Sequence, residues 1–96
     1  MSDNNITLNS TVSRKDDVLD CNVDNETVLM SMDTGSYIST NKQAAIIWEL
    51  IEQPKNITDI VKALTLSFNV DTEQCQSDVL SFIANMQKEN LVTIQN

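Results

Sequence analysis

Four carboxylates, Asp16, Asp17, Asp20 and Asp24, crowd into one short stretch of the chain, and two thiols, Cys21 and Cys75, lie far apart. Paired carboxylates can divide acid and base work between them, yet no histidine, glycine-rich loop or nucleophile elbow accompanies these. They fall where strands break and read as solvated turn residues. The thiols form no CxxC, and a chain without histidine lacks the commonest metal ligand and the commonest general base. Both cysteines therefore read as free thiols in a reducing compartment. No catalytic residue, metal or cofactor is expected, and the chain should not be an enzyme.

Two other side chains could make specific contacts. Trp48 lies inside a helical apolar stripe and reads as core; Tyr37 lies on a short strand and is left open between core and exposed contact. The charge balance narrows the partners. Fourteen acidic residues against six basic ones give a net charge of −8, which repels polyphosphate at long range. A partner should be neutral or basic where it touches. With 96 residues the chain makes one domain, too small for a core plus a deep active site. Residues 1–5 are polar and expected to fray, leaving residues 6–96 as the domain. Nothing at the start looks like a signal peptide and no apolar run approaches the ~20 residues that span a bilayer, so the expectation is a soluble, cytoplasmic protein.

The elements that would position such contacts follow from periodicity. Ile6, Leu8, Ser10 and Val12 alternate, as do Leu19, Cys21 and Val23 after the charged break at Arg14-Lys15-Asp16-Asp17. The turn Asp33-Thr34-Gly35 holds the only glycine, which can take the positive φ of a tight hairpin between the runs at 27–32 and 36–39. Leu29 breaks the alternation of Val28, Met30 and Met32 and leaves the facing of that strand open. One or both N-terminal runs should pair with the hairpin.

Asn41 then caps a helix over 42–52 with Ala44, Ile47, Trp48 and Ile51 on one side, ended by Pro54. Thr58 caps a second, with Ile60, Val61, Leu64 and Phe68 inward and Ile57 stapling its entry. A third begins at Asp71 or Thr72 and carries the stripe Cys75, Val79, Phe82, Ile83 and Met86, flanked by Leu80. Residues 91–94 form a short extended tail. The expected fold class is α+β, a winged helix-turn-helix with a small N-terminal antiparallel sheet of about three strands followed by three helices.

DNA binding is the commonest use of that architecture, and the charges oppose it. Between positions 71 and 90, where a recognition helix would need cations, Asp71, Glu73, Asp78 and Glu89 face Lys88 alone. Peptide recognition fits better. The strand at 36–39 has little sequence left to cover its outer edge, so a partner could add a strand there, with the third helix walling the other side. Val79, Phe82 and Ile83 read mostly as core, and Cys75, Asp78 and Met86 as the contact rim. Met30, Met32 and Met86 could line one adaptable patch, each with core as the competing reading.

The run Val28-Leu29-Met30-Ser31-Met32-Asp33-Thr34-Gly35-Ser36-Tyr37, the Asn41 cap leading to Ile47-Trp48-Glu49-Leu50-Ile51, and Asp78-Val79-Leu80-Ser81-Phe82-Ile83 before Asn90-Leu91-Val92 together resemble the PqqD-like family over residues 27–92. These are recognition elements for the precursors of ribosomally made, enzymatically modified peptides. A stand-alone domain of this length is most similar to the leader-binding protein of lasso peptide pathways. The resemblance implies that the leader adds an antiparallel strand to the third strand of the sheet and anchors aromatic, proline and leucine side chains against the third helix. The bound precursor then passes to a separate transglutaminase-like cysteine leader peptidase and to a lasso cyclase. Carried over, backbone pairing falls at Tyr37, Ile38 and Ser39, and side-chain contacts at Asp78, Val79, Phe82 and Met86; the edge-strand and helix-stripe reading adds Ser36 and Cys75 to the expected peptide-binding set. Asn90 stands where family members often have glycine, and asparagine tolerates the left-handed helix cap. The peptide chaperone of pyrroloquinoline quinone synthesis has the same implied fold and binding mode with a different enzyme partner.

Overall fold

Gly35 takes φ +77° and closes the turn between two antiparallel strands, with its N–H donated to the Ser31 carbonyl at 2.8 Å. The computed structural model describes residues 6–24 and 26–95; the expectation of a frayed 1–5 segment lies outside them. In chain order the elements are β1 (Thr11–Arg14), β2 (Val18–Val23), β3 (Glu26–Ser31), β4 (Tyr37–Thr40), α1 (Lys42–Leu50), β5 (Lys55–Asn56), α2 (Ile57–Ser67), α3 (Thr72–Lys88) and β6 (Val92–Gln95).

The strands form two antiparallel sheets of three, in the orders β2-β3-β4 and β5-β1-β6. The expected single N-terminal sheet is corrected to two. Of the N-terminal runs, one or both of which should pair with the hairpin, only the second does; in the first only Thr11–Arg14 is strand, and it pairs with the C-terminal tail from Thr11↔Gln95 to Arg14↔Val92. Alternation tells which face a strand buries but not which strand lies beside it, and here the choice is made by the two chain ends closing over the helices. The hairpin sheet takes its third strand from β2, which pairs with β3 from Val18↔Ser31 to Val23↔Glu26.

Leu29 settles the facing of β3. It is fully buried together with Ser31, while Val28 and Met30 are half-buried on the opposite face. A single-residue slip would exchange the two sets, so the core contact of Leu29 sets the register of the sheet.

The helices bury the stripes read from their spacing: Ala44, Ile47 and Trp48 on α1, Ile60, Val61 and Leu64 on α2, and Cys75, Val79, Ile83 and Met86 on α3. Asn41 and Asp71 cap α1 and α3 through their side chains. The start of α2 differs from expectation. Asn56, not Thr58, is its cap, accepting from the Thr58 N–H at 2.9 Å, and Ile57 is the first helical residue and fully buried. Thr58 instead donates its hydroxyl to the Leu8 carbonyl at 2.8 Å and ties the N-terminal segment to the helix. At the far end of α1, Arg14 donates from Nε and an Nη to the Trp48 carbonyl at 3.1 and 2.7 Å, with its guanidinium 4.4 Å from the indole centroid. A cation at a helix C-terminus opposes the negative end of the helix dipole, and one over an aromatic face is attracted by the ring. No helix of the described residues is long and apolar enough to cross a membrane.

Candidate peptide-binding site

β4 is an edge strand. It pairs with β3 from Thr27↔Thr40 to Met30↔Tyr37, and no strand among the described residues lies on its other side. The Ser31 N–H donates to the Ser36 carbonyl at 2.8 Å. Antiparallel ladders alternate bonded and non-bonded pairs, so the backbones of Ile38 and Thr40 turn toward β3, and those of Tyr37 and Ser39 turn outward. Four groups are therefore offered to an incoming strand: the N–H and C=O of Tyr37 and of Ser39.

Two of the residues expected to pair with a ligand backbone are engaged within the chain instead. Ser36 uses its carbonyl for Ser31 and gives its N–H to the Thr34 hydroxyl at 3.1 Å, which makes it part of the turn. Ile38 bonds inward by the alternation, and its half-buried side chain packs against the core. Tyr37 is exposed, which resolves the even reading of the sequence. Ser39 is exposed and donates its hydroxyl to Glu26 Oε1 at 2.8 Å.

Immediately after β4 the chain enters a cleft of about 340 Å³ between the three helices. Asn41, Gln43, Ala44 and Ile47 come from the start of α1, Leu64 from α2, Val70 from the α2–α3 connection, and Gln74, Cys75, Asp78, Val79 and Phe82 from α3. Apolar side chains form part of the walls, and Asn41, Gln43, Gln74 and Asp78 make nearly as much of the exposed lining polar. Asp78 is the one acidic side chain among the described residues that line the cleft, and it accepts from Gln74 Nε2 at 2.9 Å. Desolvation by burial, and then the negative charge of Asp78, push the Cys75 thiol above its ordinary pKa. Cys75 therefore stays protonated at neutral pH and contributes an apolar wall, not a thiolate nucleophile.

The structure brings four of the five α3 candidates into this cleft: Cys75, Asp78, Val79 and Phe82. Met86 is the exception. It is fully buried and absent from the lining, because the chain turns back over it and the Leu91 N–H donates to its carbonyl at 2.9 Å. The expected contact rim loses that residue. Nor do the three methionines form one patch, since Met32 is exposed in the turn, Met30 is half-buried on the face of β3 away from Leu29, and Met86 is interior.

Sequence reasoning missed Gln74 and the α1 entrance. Gln74 lies four residues before Asp78, and Asp78 four before Phe82, so one helical face carries all three. That signal was present in the spacing. Asn41, Gln43, Ala44 and Ile47 carried none, because capping and core packing already accounted for Asn41, Ala44 and Ile47.

Known proteins match this arrangement. The family model described as coenzyme PQQ synthesis protein D (PqqD) matches residues 26–92, almost the stretch over which the sequence resembles that family. Among solved structures, "TbiB1 in Complex with the TbiA(beta) Leader Peptide" superposes with a TM-score of 0.75 at 28% identity, covering 83% of this chain and 93% of that one. "Lasso peptide synthetase B1 complexed with the leader peptide" superposes with a TM-score of 0.74 at 17% identity, covering 85% of this chain and 96% of that one. No curated protein matches the chain.

Proposed function

The chain belongs to the PqqD family, a family of non-catalytic peptide-binding domains, and from that premise we propose that it captures the leader of a ribosomally made precursor peptide by strand addition to β4. The observation that carries the reading is the juxtaposition of an open strand edge, offering Tyr37 and Ser39, with the cleft that begins at Asn41. Backbone pairing supplies affinity whatever the side chains, and the cleft selects among apolar anchors of the leader. A disordered leader loses conformational freedom as it orders, so the anchors must offset that loss. In the cleft, Phe82, Val79 and Cys75 provide the apolar contact and Asp78 with Gln74 a polar one.

The 28%-identical neighbour carries a leader peptide, which supports leader capture, and the sequence resemblance to the stand-alone leader-binding proteins of lasso pathways supports a lasso setting. In that setting the protein works in the cytoplasm, hands the precursor to a separate transglutaminase-like cysteine leader peptidase, and holds it for a lasso cyclase. Its role is to raise the local concentration of the precursor beside those enzymes. In this reading the β2–β4 sheet acts as the wing of a winged helix-turn-helix whose third helix grips a peptide instead of DNA. The family description favours a second reading, a peptide chaperone of pyrroloquinoline quinone synthesis, with the same capture step and a different enzyme.

The capture reading expects a short precursor gene beside that of this chain, and titration of a fluorescent synthetic leader taken from it tests the capture step by anisotropy. Saturable binding is expected; its absence at about 50 µM, a free energy weaker than about −6 kcal/mol, overturns the reading. The remaining alternative is a winged-helix DNA-binding regulator, and a gel shift at low salt, expected to be negative, checks it.

A further inference from the structure

The hairpin sheet has an outer face that the core does not use. Its register places Leu19, Met30 and Tyr37 in one cross-strand row, and Cys21, Val28 and Ser39 in the next. Leu19 is 46% exposed, Val23 53%, Met32 60% and Tyr37 69%. Of the five large exposed apolar side chains among the described residues, only Leu66 lies elsewhere. Such clustering marks an interaction surface more than scattered singles do.

Charge says what kind of surface it would meet. Between positions 16 and 41 stand Asp16, Asp17, Asp20, Asp24, Glu26 and Asp33, with no lysine or arginine. Asp20 pairs with Leu29 and faces the other side of the sheet, whereas Glu26 lies on the outer face and Asp16, Asp17, Asp24 and Asp33 lie in turns at the ends of the sheet. A second copy of the chain would therefore set five carboxylates against five, so self-association on this face is opposed by repulsion. A partner with an apolar patch bordered by cations is complementary.

Direction says where that partner acts. A strand added antiparallel to β4 runs opposite to it, entering beside Asn41 and the cleft and leaving past Tyr37 toward the Gly35 turn. The Leu19, Met30 and Tyr37 row and Met32 lie at this exit end. The part of the precursor that follows the leader therefore emerges next to the apolar face. An added strand would sit about 14 Å from β2, three strand spacings away, and would leave Leu19 and Cys21 open.

We propose that the outer face of the β2–β4 sheet docks the enzyme that acts on the precursor just beyond the leader, through an apolar patch on that enzyme rimmed by lysine and arginine. The inference rests on the leader-capture reading and adds to it the polarity of the bound peptide and the face that receives the enzyme.

Cys21 reports on this face without any substitution, because it is exposed at the centre while Cys75 is buried. Its alkylation by iodoacetamide is followed by mass spectrometry with the protein alone, with the synthetic leader, and with leader plus the purified cysteine peptidase encoded beside it. Leader alone should leave the rate within twofold, and the peptidase should slow it at least fivefold. Leu19→Asp should restore the rate in the presence of peptidase and raise the KM for precursor cleavage at least fivefold, with leader affinity by anisotropy within twofold. An unprotected Cys21 in a peptidase-bound complex overturns the proposal, as does absence of peptidase binding while leader affinity is intact. Protection that grows with protein concentration alone assigns the face to a second copy, and protection by leader alone assigns it to the leader; either overturns it too. Loss of anisotropy binding itself strikes the leader-capture reading instead.

Discussion

Replacing Ser39 with proline separates an incoming strand from every other mode of binding. Ser39 faces Val28 in a pair whose backbones do not bond each other, so its N–H points to the open edge and not to β3. Proline deletes that donor and sets a ring in the path of the ligand strand, while edge strands tolerate proline where the N–H faces solvent. The lost bond is worth about 1 kcal/mol, and the ligand carbonyl left without a donor adds about 1 kcal/mol more. A total near 2 kcal/mol predicts roughly thirtyfold weaker leader binding, since 1.4 kcal/mol is tenfold. Ser39→Ala is the control: it removes only the exposed hydroxyl bond to Glu26 and should leave affinity within twofold. Ile38→Pro, one residue away, should instead unpair β4 from Leu29 and disorder the sheet. The assays are leader anisotropy with circular dichroism for fold. A folded Ser39→Pro protein that binds the leader as tightly as the parent refutes strand addition at this edge, and an equal loss in Ser39→Ala refutes the backbone account.

Four further outcomes are expected. Phe82→Ala, at a half-buried cleft position that also packs against the core, should weaken leader binding about tenfold or more, with a loss of stability below the roughly 3–5 kcal/mol of a fully buried phenylalanine, read by anisotropy and thermal melting. Met86→Ala should do the reverse, lowering stability by about 2–5 kcal/mol through a core cavity while the folded fraction binds leader normally. Arg14→Ala removes two charged donations to the Trp48 carbonyl and the contact with its ring; a loss of about 2 kcal/mol corresponds to a Tm lower by roughly 10 °C in a domain this size. Cys75 has a folded pKa raised above its ordinary 9.0, so the folded state holds its proton more tightly than the unfolded one. That contribution is complete below about pH 9 and is lost as pH rises through the folded value, and melts from pH 8 to 10.5 should show a shallower alkaline decline in Cys75→Ala than in the parent.

Much of this protein is dictated by residues close together in the chain. The hairpin follows from a glycine that alone among the residues of its turn takes a left-handed φ, and the caps at Asn41 and Asp71 follow from side chains reaching N–H groups three residues on. Asn90 adopts φ +64° at the end of α3, a left-handed cap that asparagine tolerates. The helical stripes were legible for the same reason, since i to i+4 spacing alone sets which side chains share a face. The open edge was legible because the sequence after residue 40 turns helical.

Other features depend on contacts that no local pattern encodes. β1 finds β6 across the whole length of the chain, and Thr58 gives up capping because Leu8 offers its carbonyl fifty residues away. Met86 shares the period of its stripe with Phe82, yet the return of the chain at Leu91 buries one and the cleft bares the other. Periodicity fixes the azimuth of a side chain around its helix but not what lies above it. Likewise the sequence placed Tyr37, Ile38 and Ser39 on one strand, and only the pairing with β3 decided that the backbones of Tyr37 and Ser39 face the open edge while that of Ile38 faces inward, because a ladder alternates from whichever pair bonds first.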